Sequence, residues 1–155
     1  MVMPNATKAD LMRGSIDLDT AGDTIKVLLL DDTTAYTADV DNHDFVSDVA
    51  DGGVTGTEMS GTGYSRKTLA NQAVTVDDTD NEGVFDADNV TWTGLNAGTI
   101  QTVVVYQQVG ADDTTPADDR IIAIHDDSSI GTLPLTTNGS DVTLSWPAEG
   151  IVNLG

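Results

Sequence analysis

The sequence has no cysteine. Disulfides, thiolate zinc sites and cysteine nucleophiles are therefore excluded, and stability must come from packing. Cations are scarce as well: six Lys and Arg stand against 26 Asp and Glu, a formal charge of -20 at pH 7. Neutralising a nucleic-acid backbone takes clustered Lys and Arg, so DNA and RNA are not expected as partners. The longest apolar run, residues 27–30 (VLLL), is far below the roughly 20 residues of a membrane span, and the first residues lack the apolar centre of a signal peptide. A chain that is made and kept soluble, with no membrane partner, is expected.

Catalytic motifs are missing too. There is no G-x-S-x-G elbow and no H-E-x-x-H pair. The two histidines, His43 and His125, have aspartates beside them and Ser47, Ser128 and Ser129 nearby in sequence. Adjacency in sequence does not make a triad, so neither catalytic residues nor a cofactor are expected. His125 is expected on one strand face with Ile121 and Ala123, partly buried, and His43 as a cap of a short turn at 42–49.

What the chain does have is aspartate, 23 against three glutamates, spread along its whole length between apolar segments. With 39% hydrophobic residues it can build a core. A domain of 155 residues buries about 70% of its unfolded surface. At molar salt the Debye length falls to about 3 Å, so dense like charges repel little and hold water and cations. The composition points to a salt-adapted surface, and aspartate favours turns over helices.

One β-rich domain over 1–155 is expected, with an N-terminal segment 1–14 as a docking arm and a β-sandwich over 15–155. Residues 6–13 can make two helical turns between Asn5 and Gly14. In DTIKVLLLDD, Ile25, Val27 and Leu29 share one strand face, and Lys26, Leu28 and Leu30 the other, so both faces should be covered. NHDFVSDVA reads as a single helical turn over the sheet edge, with Phe45 and Val49 at i and i+4. Short strands follow: VTGTEMS, KTLANQAVTV, GVFDA, VTWT, IQTVVVYQQV, RIIAIHD, IGTLPLT, VTLSW and IVNL. TIQTVVVYQQV, apolar on both faces, should be central. Val142, Leu144 and Trp146 should face inwards. Phe85 and Ala87 are one residue out of phase with Val90 and Trp92, which predicts a bulge near Asp88 and Asn89. The pattern predicts an all-β fold, an antiparallel sandwich or jelly-roll-like barrel with a short N-terminal helix.

Three features invite a chemical reading. Residues 61–68 (GTGYSRKT) place Gly61, Lys67 and Thr68 as a phosphate loop G-x-x-x-x-G-K-S/T would. Position 66 must then be glycine and is Arg66, and a strand follows where a helix is needed. A glycine turn feeding a strand is the better reading. In DDTDNEG, Asp78, Asp80 and Glu82 match alternate positions of a calcium loop, but the twelfth position is Asn89 and the flanks are strands. An EF-hand is excluded; a loosely bound cation on a hairpin is left as a weak candidate. Lastly, in so acidic a chain each cation should meet an anion, in the protein or across an interface. Lys8, Arg13, Arg66 and Lys67 are the interface candidates.

The order of segments carries a resemblance. A short helix, GSIDLD, IKVLLL, YTADVDNHDFVSDV, SGTGYSRKTL, VFDADNVTW, a Val-rich strand ending at Tyr106, a tryptophan strand and the closing GIVNLG together resemble a family of small structural proteins of tailed phages and haloarchaeal tailed viruses. The resemblance spans nearly the whole chain. HDFVSDV at 43–49, SGTGY at 60–64, KTL at 67–69 and FDADNVTW at 85–92 are its most specific parts. The chain departs from the commoner pattern by the insertion ADDTTPADD at 111–119. The resemblance implies a β-rich, non-enzymatic virion protein on the head surface, assembled in the host cytoplasm. Its partners would be itself, as a homotrimer, and the major capsid protein, as a capsid decoration or cement protein. The alternatives are a turret, head-fibre or tail component acting as an adhesive module, which should expose Tyr36, Tyr64 or Tyr106 in a groove, and a cation-binding accessory module.

Overall fold

The computed structural model describes residues 1–19, 22–50, 55–126, 130 and 133–155. Ser128 and Ser129 lie outside the described residues, as do Val54 and part of the IGTLPLT segment. The chain is all-β, built from antiparallel sheets with one short N-terminal helix of nine residues, α1 (Asn5–Arg13), and a single turn, α2 (Val46–Val49). The strands are β1 (Ile25–Asp31), β2 (Lys67–Thr68), β3 (Ala73–Asp77), β4 (Glu82–Asp86), β5 (Val90–Trp92), β6 (Thr99–Gln107), β7 (Arg120–His125), β8 (Leu135–Thr136), β9 (Val142–Leu144) and β10 (Val152–Leu154).

The main sheet runs β2-β1-β6-β7, with β8 also paired to β6. β6 is central, as its two apolar faces require. Ile25, Val27 and Leu29 point into the larger core, while Leu28 and Leu30 point into a second cluster with Val46, Val49, Val104, Tyr106 and Ile121. Two smaller sheets, β10-β4-β3 and β5-β9, close the larger core as the second layer of a sandwich. The α2 turn and neighbouring loops cover the opposite face of the main sheet. Burial on both faces is what a strand such as VLLL needs.

Several expectations change at particular residues. Phe85 and Trp92 are out of phase because the chain changes sheets between β4 and β5, not because of a bulge. KTLANQAVTV is two strands, broken at Asn71, which takes a left-handed φ of 53°. The α2 turn buries Val46 and Val49, while Phe45 is only half-buried and carries the Arg120 guanidinium 4.2 Å above its ring. Asp48, not His43, caps it, accepting the Phe45 N–H at 2.8 Å. A register shift between β6 and β7 leaves Ile122 extra, so Ile121 turns to the second cluster while Ile122 and Ala123 both join the larger core.

Residues 1–14 are fastened to the body of the domain. Val2 exchanges two backbone hydrogen bonds of 2.8 Å with Ile124, Met3 and Thr7 are buried, and the Thr7 hydroxyl donates to the Ile121 carbonyl. Gly14 ends α1 in a left-handed conformation that glycine adopts at no steric cost.

Candidate functional site

The octet GTGYSRKT forms a tight turn that delivers Arg66 inwards. Gly63 has a φ of 81°, and a side chain there would meet the Gly94 carbonyl oxygen at 2.7 Å, so only glycine fits. The turn leads into β2, which pairs with β1 at Lys26 and Val27. No helix N-terminus follows, and the phosphate-loop geometry is not formed.

Arg66 makes a two-pronged ion pair with Glu58, Nε to Oε1 at 2.9 Å and Nη2 to Oε2 at 2.6 Å. The side chains are 10% and 18% exposed. Tyr64 donates its hydroxyl to the same Glu58 oxygen at 2.7 Å and accepts the Leu29 N–H at 3.2 Å. Beyond it the guanidinium sits 5.6 Å from the Tyr106 ring, and Asp113 receives Tyr106 Oη at 2.7 Å and Lys26 Nζ at 2.5 Å. Burial pushes the Asp113 carboxyl up, but the bonds from Lys26 and Tyr106 and the charges of Lys26 and Arg66 outweigh it and hold the group below the usual carboxylate range. Arg120 is the third internal cation, 3.0 Å from Asp10 and 3.9 Å from Asp44.

Arg66, an interface candidate, is spent within the chain. In the inserted acidic loop, Asp113 turns inwards, and Asp119 is fully buried, its Oδ1 accepting the Val109 N–H at 2.8 Å. Burial raises the Asp119 pKa, offset in part by that N–H. Of the other candidates, Lys8 donates to Asn5 at 3.1 Å, and Arg13 is exposed beside Asp10, also at 3.1 Å. Lys67 is half-buried and makes no ion pair among the described residues. Sequence reasoning missed Glu58, Asp113 and Asp119. The one signal for Asp113 was Lys26, a cation on a strand face shared with Leu28 and Leu30.

Asp78, Asp80 and Glu82 are not brought together: among the described residues no three carboxylate or imidazole groups converge on a metal position. The turn is instead held by Asp77, whose Oδ1 accepts the N–H groups of Thr79 and Asp80 at 2.7 and 3.2 Å. The histidines lie on opposite sides of the main sheet. His43 stacks on Tyr36 and takes the Asp39 N–H on Nδ1 at 3.2 Å, while His125 lies 6.0 Å from the Trp146 ring. Tyr36 and Tyr106 are buried and Tyr64 is half-buried, so the aromatic groove of an adhesive module is not built from them.

The open feature is apolar. One face of the small sheet carries two rows, Val74–Phe85–Val152 and Val76–Gly83–Leu154, set side by side by the strand registers. Leu11, Ile16 and Leu18, together with Asp17 and Asp19, complete with this face a groove of about 500 Å³ whose lining includes Gly83. Val74, Val76 and Leu154 are 52%, 79% and 51% exposed. Such a patch marks a contact surface more often than a reaction site.

The chain matches no family model, no curated protein and no solved structure. The groove and the charge distribution therefore carry the functional reading. No helix among the described residues is long and apolar enough to cross a membrane.

Proposed function

We propose that the chain is a non-enzymatic structural protein of a tailed-virus particle, a capsid decoration protein that stabilises the head at high salt. It acts as a homotrimer seated on the major capsid protein, at the head surface, after assembly in the host cytoplasm. The observation that carries this reading is how the fold uses its charges. Three of its six cations, Lys26, Arg66 and Arg120, are drawn into internal ion pairs, which leaves an outward surface dominated by carboxylates and one open apolar face. Rigid β-layers with an adhesive patch suit a protein that works by contact area. The resemblance of its segment order to small virion proteins points the same way.

Quantitative mass spectrometry of purified particles tests the proposal. A decoration protein is present at on the order of hundreds of copies per particle, in step with the symmetric shell. A few to several dozen copies would move it to a vertex, fibre or tail, and absence from the particle would overturn the virion role altogether. Light scattering that shows a lasting monomer with no affinity for emptied capsids would remove the trimeric cement model.

A further inference from the structure

The apolar face ends at an unpaired strand edge. β3 bonds to β4 on one side and, among the described residues, to no strand on the other. Its sequence, AVTVD, has no proline, no lysine and no bulge in its register with β4, and its one charged residue, Asp77, stands at the end of the strand.

The two faces beside this edge differ in chemistry. One holds Val74 and Val76 over Phe85 and Gly83, and a side chain added at Gly83 would find open space. The other aligns Ala73 with Asp86, Thr75 with Val84 and Asp77 with Glu82. That second face bears a shallow depression bordered by Thr75, Asp77, Asp78 and Asp86. A strand laid along β3 would thus have every second side chain over an apolar trough and the rest over carboxylates.

A second copy does not meet that demand. Antiparallel pairing of β3 with itself about Thr75 sets Asp77 of each chain beside the Ala73–Asp86 end of the other, acid against acid, on a molecule of charge -20.

We infer that the β3 edge binds an extended segment of a different protein in which aliphatic residues alternate with Lys or Arg. Main-chain hydrogen bonds to β3 supply affinity. The aliphatic side chains extend the Val74 and Val76 rows, and the cations meet Asp77, Glu82 and Asp86. The inference rests on the reading of this face as a contact surface, and is independent of membership in a virion.

The probe is a synthetic peptide of about ten residues alternating Val and Lys, compared with a peptide of the same composition with its valines in one block. Both are titrated into the full chain in about 1 M KCl, where non-specific attraction is screened. Expected is binding of the alternating peptide alone, with backbone amide shifts confined to β3, β4 and β10. Val76→Glu, at an exposed site, and Gly83→Val, which fills the trough, should each weaken it by at least about tenfold. Equal binding of the block peptide, or unchanged binding by both variants, overturns the inference. So does peptide-free self-association that Val76→Glu abolishes, because the second copy is then the occupant. Particle copy number is unaffected by these outcomes, so either reading can fail alone.

Discussion

A guanidinium enclosed in a protein is stabilised only while its counter-charge is present. Removing one partner of such a pair leaves an uncompensated charge and costs about 3 kcal/mol or more, whereas exposed pairs contribute about 0 to 1 kcal/mol. Arg66→Met and Glu58→Gln are therefore expected to lower stability by about 3 kcal/mol each, with the double variant recovering part of the loss. Arg13→Ala should stay within about 0.5 kcal/mol. Urea unfolding of the four variants measures this, and equal effects at Arg13 and Arg66 would refute the internal role of Arg66. Two aspartates of loop 110–119 should respond to pH in opposite directions. Asp113 is held below the ordinary 3.8, so its contribution is present above that value and lost as pH falls through its lowered pKa. Asp119 is raised, so the folded chain keeps a proton that the unfolded chain releases. Its contribution is complete below 3.8 and lost as pH rises through the raised pKa. Among the described residues Asp119 Oδ2 has no hydrogen-bond partner, and an asparagine keeps the acceptor for the Val109 N–H. Asp119→Asn is thus expected to raise the melting midpoint at about pH 7 and to give no gain near pH 3; a loss at neutral pH would show that the charged form is stabilising.

Turns decide the course of this chain between its elements. Gly63 and Gly14 both have positive φ, but Gly14 faces open space whereas Gly63 abuts the Gly94 carbonyl. Gly14→Ala should cost about 1 kcal/mol, the conformational term alone. Gly63→Ala should cost clearly more, about 2 kcal/mol or above, because the 61–65 turn must move off the Thr93–Gly94 backbone and carry Arg66 with it. Comparable thermal midpoints for the two variants would refute the close approach. The same contrast explains what was legible in the sequence. Period-two runs gave the centrality of β6, the two buried faces of β1 and the inward Val142, Leu144 and Trp146, since each face sees one environment along its length. The break at Asn71, the change of sheet after Asp86 and the extra Ile122 are set by long-range pairing, which leaves no local pattern. The same holds for the candidate site: the glycine turn was readable, but the acids that pair inwards, Glu58, Asp113 and Asp10, are three among 26 with no distinguishing neighbour.

For the whole molecule, charge sets the working conditions. A net -20 on 155 residues destabilises the compact state through self-repulsion, and added salt relieves it because exposed charges more than a Debye length apart are screened. The melting midpoint is expected to rise by about 10 °C or more between about 0.1 M and about 3 M KCl, several kcal/mol at this chain length. Salts also strengthen apolar burial, so the rise alone does not identify its cause. The internal pairs provide the discriminating measurement. Lys26 with Asp113 and Arg66 with Glu58 are largely shielded from solvent, and buried pairs are screened far less than exposed ones. The cost of Arg66→Met should accordingly change by less than about 1 kcal/mol across the same salt range while the parent chain gains several. If that cost vanishes at high salt, the network is a surface feature. A constant cost beside a rising midpoint fixes the division of labour: the enclosed cations hold the layers together at any salt, and the outward aspartates make the whole depend on it.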